Sequence, residues 1–229
     1  MSFTAVGEHI GIALPGGTAL FTTRRGGVSE GPFASLNLGL KTDDDLDAVG
    51  ENRARVERLT GGRIAPIRQV HGTEVVAADP DAPVRDADGQ VTAEAGVAAV
   101  VLVADCVPIV LVAPEGVGAL HAGWRGLADG VVENGVAALR AFGAERIVAA
   151  IGPGAGPCCY EVGAEVHAAF GTSGRTVDLK AIAREKLQAA GVVEVHDCGL
   201  CTIHDAERFF SHRRDHGVTG RQAGVVWRS

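Results

Sequence analysis

The chain has 229 residues, 46% of them hydrophobic and only 4% aromatic, with 32 glycines and a formal charge of −7. That supplies one sizeable core of Val, Leu, Ile and Ala, so residues 1–229 are read as a single domain. The acidic balance, with no Lys/Arg run longer than two, excludes a basic nucleic-acid surface, and no stretch of about 18 apolar residues offers a membrane span.

The N-terminal MSFTAVGEHIGIALPGG has no basic leader, so the expected location is the cytoplasm, where five cysteines serve as thiols, ligands or nucleophiles rather than disulfides. Residues 18–23 read as a strand. The Gly-rich RRGGVSEGPFASLNLGLK (24–41) reads as a long loop, and such loops in compact domains usually carry function. Thr42-Asp43-Asp44-Asp45 offers an N-cap for a helix that Gly61-Gly62 stops. Its apolar stripe is Leu46, Val49, Val56 and Leu59, and Arg53 falls on that stripe. An inward arginine is either internally paired or part of an anion site.

Strands are expected at 64–70 and 74–79, meeting near His71, followed by a polar stretch at 80–96. The most apolar segment then parses as strands 97–103, 108–113 and 117–121. Further on come a helix at 126–141, a strand at 146–151, the loop GPGAGPCCYEVG (152–163), helices at 162–170 and 178–190, and a strand at 192–196. A short helix near 204–210 and a strand at 221–227 close the chain. The partial alternation favours an α+β fold with sheets sandwiched by helices.

His71, Cys106 and His121 all fall at expected strand ends, where rims of binding sites form. Two imidazoles and a thiolate suit zinc with one position left open. A Cys/His nucleophile pair and ordinary structural roles remain alternatives, because the spacing is not that of a tight metal motif. Asp105 precedes Cys106 and is placed to orient a ligand, move a proton or cap a turn. Arg125 follows His121 by four residues at a helix start, where anions bind, or else simply packs on Trp124. Cys158-Cys159 and the C-x-x-C of Cys198 and Cys201 read mainly as small buried hydrophobes. A structural zinc there would need His196 or His204 as helpers. Arg213 and Arg214 could meet phosphate or pair with Asp215.

The segments QVHGTEV (69–75), ADCVPIVL (104–111), HAGWRGL (121–127), IGPGAGPCCYEVG (151–163) and FFSHRRDHGVTGRQA (209–223) resemble the YfiH family, also called the laccase-domain or multicopper polyphenol oxidase family. GGVSEGPFASLNLG (26–39) and ENRARV (51–56) extend the likeness. One departure is His212, where the family motif has Tyr. The resemblance implies a single-domain, four-layer αββα sandwich with one zinc on His71, Cys106 and His121. It also implies phosphorolysis of adenosine, inosine, guanosine and 5′-methylthioadenosine, together with adenosine deamination. Older family labels imply a copper-dependent polyphenol oxidase (laccase), and a link to peptidoglycan precursors adds a Cys106/His121 cysteine hydrolase or amidase. Copper at a single N/S site is read as adventitious. For the nucleoside chemistry, Asp105, Cys106 and His121 are the catalytic candidates. Ser35, Asn37, Arg53, Arg125 and Arg213 are the candidates for holding nucleoside and phosphate. The expected partners are small molecules only, with neither nucleic acid nor membrane, on a protein expected to be monomeric.

Overall fold

The computed structural model describes residues 1–228. An antiparallel meander opens the chain: β1 (Thr4–Val6), β2 (His9–Leu14) and β3 (Gly17–Phe21). The Gly-rich loop follows, then α1 (Leu46–Thr60), whose N-cap is Asp45. The Asp45 carboxylate accepts from the backbone N–H of Asp47 and Ala48, and Gly61 ends the helix at φ 69°. Next are β4 (Arg63–Ile64), β5 (Ile67–Arg68), β6 (Val75–Ala77), β7 (Arg85–Asp86) and β8 (Gly89–Thr92). Then come the long strands β9 (Val97–Val103), β10 (Val107–Ala113) and β11 (Gly116–Ala122). Helices α2 (Trp124–Asp129) and α3 (Val131–Arg140) precede β12 (Val148–Ile151). Helices α4 (Ala164–Phe170) and α5 (Leu179–Ala189), then β13 (Glu194–Asp197) and β14 (Gln222–Arg228), complete the fold.

Two six-stranded sheets form, ordered β1-β2-β3-β14-β9-β4 and β13-β12-β10-β11-β8-β6, with β5 and β7 paired apart. Three packed interfaces make this a four-layer sandwich. Phe21, Ile12, Val101 and Val226 of the first sheet meet Val110, Val112 and Ala119 of the second. On the second sheet's other face, Ile109, Leu111 and Leu120 pack on Leu127, Val136, Leu139 and Leu187 of the helices. On the first sheet's other face, Leu20, Val100 and Val225 pack on Val56 of α1 and on Leu36 and Leu38 of the loop. Strand β10 shows the period of two directly: odd positions face the helices and even ones face the other sheet, so all seven residues are buried. No helix among the described residues is long and apolar enough to cross a membrane.

The structure revises several expected elements. The helix expected at 126–141 is two helices, broken where Gly130 turns to φ 110°. Residues 204–210 form turns rather than a helix. The polar stretch at 80–96 conceals β8, all four of whose residues are buried. Gln90 supplies the reason: its amide donates to Ala65 O at 2.9 Å and accepts from Val100 N at 3.1 Å, bridging the two sheets. In α1 the expected stripe is rotated, with Leu46 and Leu59 at 62% and 44% exposure. The buried face is Val49, Asn52, Val56 and Thr60. Asn52 faces inward because it wires the Gly-rich loop, accepting from Val28 N and donating to Ser29 Oγ, Ser35 O and Asn37 O.

Candidate metal centre

Sheet register brings the three ligand candidates together. In the β10–β11 pair, Val107 lies opposite Ala122 and Pro108 opposite His121, which sets Cys106, one residue before β10, beside Gly123. The β8–β11 pair puts Leu120 opposite Gly89, so Asp88 arrives next to His121 and its carbonyl accepts the His121 N–H at 2.7 Å. His71 sits beyond β5 at φ 61°, a left-handed conformation costly for a residue with a Cβ. Asp88 holds it there: Oδ1 accepts from His71 N at 2.9 Å, and Oδ2 accepts from Val70 N at 3.1 Å and Gly72 N at 2.7 Å.

The same Oδ1 lies 2.7 Å from His121 Nδ1. A proton on Nδ1 leaves Nε2 as the free ligand atom, the usual outer support of a metal-bound histidine. Asp88 is fully buried. Burial presses its pKa upward, but the bonds from His121 and the backbone amides outweigh that, and the net direction is down. Asp88 was not identified from the sequence: it lies 33 residues from His121 in a stretch that reads as polar loop.

One ligand atom from each of His71, Cys106 and His121 lies within 4.8 Å of the other two, with Cys106 Sγ 3.8 Å from His71 Nε2. A tetrahedral zinc at ordinary Zn–S and Zn–N lengths would hold such a pair about 3.6 Å apart. Gly123 leaves the space: a Cβ there would stand 2.8 Å from His71 Cδ2 and 3.2 Å from Cys106 Sγ. The donor set and the room both fit a borderline-soft divalent ion. In the metal-free protein, burial pushes the Cys106 thiol up, but the charge and hydrogen bonding of His121 and His71 bring it down to about 6. Burial lowers His121, while Cys106 and Asp88 raise it to about 9. The pair is therefore thiolate and imidazolium, and an incoming cation displaces the imidazolium proton.

A cavity of about 800 Å³ opens beside this group, of a size for a small ligand. His71, Asp105, Cys106, His121, Arg53, Arg125 and Arg213 all line it. Arg53 donates to Leu38 O at 3.2 Å and Arg213 to Glu161 O at 2.7 Å. Arg125 lies 4.4 Å over the Trp124 ring and Arg213 5.2 Å over Tyr160, so ring faces and carbonyls hold these guanidiniums in place. Arg221, inside the 209–223 segment but not singled out from the sequence, also lines the cavity and donates to Thr219 O and Gly220 O at 2.9 Å. Among the described residues none of these four arginines forms an ion pair. Burial lowers the pKa of Arg53, which Glu57 opposes, and that of Arg221, which Cys106 and Asp105 oppose.

Two of the expected substrate-holding residues lie outside the cavity lining. Ser35 Oγ donates to Arg24 O and accepts from Gly27 N, shaping the Gly-rich loop outside the cavity lining. Asn37 is fully buried and occupied by Thr42, Asp44, Gly39 and Arg221 N. Asp105 does line the cavity, but both its oxygens are taken, by Thr202 Oγ1 and by Arg213 N at 2.7 Å each. Its φ of 92° makes the sharp bend between β9 and β10. His212 lines the cavity as well.

Residues 18–229 match the family model described as multi-copper polyphenol oxidoreductase laccase. The chain belongs to this family. A purine nucleoside phosphorylase of Xylella fastidiosa is 46% identical over 93% of both chains. One of Pseudomonas aeruginosa is 45% identical over 91% of this chain and 92% of its own. The relative from Shigella flexneri, 39% identical over 93% of this chain and 95% of its own, carries the name YfiH. Among solved structures, the Neisseria meningitidis protein NMB0706 superposes with a TM-score of 0.90 at 36% identity, over 97% of this chain and all of its own. YlmD from Geobacillus stearothermophilus superposes at 0.85 with 38% identity, over 93% and 92%.

Proposed function

We propose that this protein is a metal-dependent purine nucleoside phosphorylase, acting on adenosine, inosine, guanosine and 5′-methylthioadenosine, that also deaminates adenosine. The relatives' names give the reaction class. The observation that carries the assignment here is the cavity, where four arginines without a carboxylate partner stand beside a two-imidazole, one-thiolate group. Arg53 and Arg221 are half-buried while Arg125 and Arg213 stand exposed at the cavity; cations held only by carbonyls and ring faces favour an anionic ligand, and forked guanidinium contacts suit phosphate.

In phosphorolysis a phosphate oxygen bonds to the ribose C1′ as the C1′–N9 bond breaks, and the purine leaves with the electron pair and takes a proton. Arg53 and Arg221 are assigned to hold the phosphate, with Arg125 and Arg213 steering the anion from the aromatic wall. Asp105 acts by position: its carboxylate fixes the Arg213 backbone and the β9–β10 bend. Asp88 fixes the His71 backbone and the His121 tautomer. When bound at His71, Cys106 and His121, zinc supplies Lewis-acid polarisation of the purine or of a water at the adenine C6.

The thiolate–imidazolium pair of Cys106 and His121 also supports a second reading, a cysteine amidase. Chelation separates the two, because the thiol mechanism survives it. The test of the main reading is metal analysis with an adenosine-plus-phosphate product assay on wild type, His71→Ala and Arg53→Ala. His71→Ala should lose metal and turnover together. Arg53→Ala should keep the metal and lose phosphorolysis more than deamination. Equal loss of both activities would assign Arg53 a structural role, and full activity after exhaustive chelation would remove the metal from the reaction.

A further inference from the structure

The Gly/Pro-rich loop after β12 turns back on itself, with Cys159 N and Tyr160 N both donating to Gly156 O at 3.0 Å. A parallel bridge joins Gly154 to Cys201, and Thr202 N donates to Gly154 O at 3.2 Å. These two segments, distant in the chain, bring the sulfurs of Cys158, Cys159 and Cys201 within 4.8 Å of one another, with Cys158 and Cys159 at 3.2 Å. All three are free thiols. None lines the catalytic cavity. Gly156 N donates to Cys201 Sγ at 3.2 Å, and a Cβ at Gly156 would stand 3.4 Å from that sulfur and 3.6 Å from Cys158 Sγ. The Gly156 backbone therefore lies against the sulfurs, and its amide dipole is aimed at one of them.

We propose that Cys158, Cys159 and Cys201 form a second metal site, separate from the His71–Cys106–His121 centre, that binds one copper(I) ion through three sulfurs. The donor chemistry selects the ion. The group contains no imidazole and no carboxylate, and soft thiolates alone favour soft monovalent copper. Structural zinc closes a tetrahedron with four ligands, and Cys198, the other thiol of the C-x-x-C pair, is not in the group. At a metal–sulfur length near 2.3 Å, three sulfurs around an ion lie about 4 Å apart, between the closest observed spacing of 3.2 Å and the outer limit of 4.8 Å.

The ion arrives as copper(I), no electron moves, and each thiol that coordinates gives its proton to solvent. The pocket already favours that for one thiol. Burial raises Cys201, but backbone amides of His204 and Gly156 outweigh it and its pKa is lowered. Cys159, hydrogen-bonded to Cys158 and then desolvated, is pushed up to about 12, so without a cation it keeps its proton. Tyr160, next in the chain, lines the catalytic cavity, so an ion at this site staples the loop that carries it.

The test is an anaerobic titration of the reduced protein, carrying its own catalytic metal, with copper(I) presented as its bicinchoninate complex, read with X-ray absorption at the copper edge. Wild type should withdraw a single equivalent into a sulfur-only shell. His71→Ala should withdraw the same amount. Cys201→Ser and Cys159→Ser should leave the copper with the chelator while retaining the wild-type circular dichroism. Should either of these fail to fold, Cys158→Ser, at an exposed position, gives the same reading. Copper held through nitrogen, lost in His71→Ala, or retained in the cysteine variants would overturn the proposal. So would a Cys159–Cys201 disulfide that persists after reduction and excludes copper.

Discussion

Replacing Asp88 with Asn tests the support beneath the metal group most directly. The carboxylate accepts four bonds, two at each oxygen: His71 N and His121 Nδ1 at Oδ1, and Val70 N and Gly72 N at Oδ2. An amide keeps one acceptor and turns the other into a donor. With its NH₂ toward the Val70 and Gly72 amides, two part-buried N–H groups lose their partner, at up to about 1–3 kcal/mol each. With its NH₂ toward His121, the imidazole must accept at Nδ1, and its proton moves to Nε2, the atom that would bind the ion. Either orientation should weaken metal binding by about 10–100-fold, or about 1.4–2.7 kcal/mol. The metal-free protein should lose about 2–5 kcal/mol of stability. Because folding holds the Asp88 pKa below its ordinary 3.8, its stabilisation is complete above that pH and fades as pH falls through the folded value. The stability gap between wild type and Asp88→Asn should therefore be flat between about pH 4 and pH 6, close below that range, and narrow again as pH rises toward 9, where the His121 proton that Asp88 helps to hold is lost. Chelator competition gives the affinity, and urea unfolding of metal-free protein across pH 3–9 gives the stability. Wild-type metal affinity in Asp88→Asn would refute the proposed orientation of His121, whatever happened to stability.

Gly123→Ala places a methyl 2.8 Å from His71 Cδ2 and 3.2 Å from Cys106 Sγ. It should lower metal affinity while costing about 1–3 kcal/mol of stability, measured by competition and by denaturant melts. With the metal stripped, Cys106 should be alkylated by iodoacetamide along a curve with a midpoint near pH 6, because its thiol is brought down to about 6. Bound metal should protect it, and a midpoint above pH 8 in the stripped protein would deny the thiolate–imidazolium pair. Phe21→Ala empties a fully buried site between the two sheets and should cost about 3–5 kcal/mol by urea unfolding, without changing metal affinity.

The sequence alone determined a good deal. Continuous apolar runs marked out β9, β10 and β11, because strands covered on both faces carry apolar residues at nearly every position. Asp45 and Gly61 mark the ends of α1 through cap chemistry that is local by nature. Cys106 and His121 stood out as reactive types at the ends of those strands and His71 at the end of an earlier one, and the motif resemblance named the family. Tertiary structure decided what depends on partners distant in the chain. Gln90 makes β8 a buried strand by bonding across to Ala65 and Val100. Asn52 takes the inward face of α1 that the apolar pattern gave to Leu46 and Leu59. Asp88 supports two ligands it meets only through the β8–β11 register, and Ser35 and Asn37 are absorbed by the loop they shape. Each of these is a polar side chain satisfying a buried backbone or side-chain group. Their positions follow from where hydrogen-bond partners end up after folding, which no period or local cap encodes.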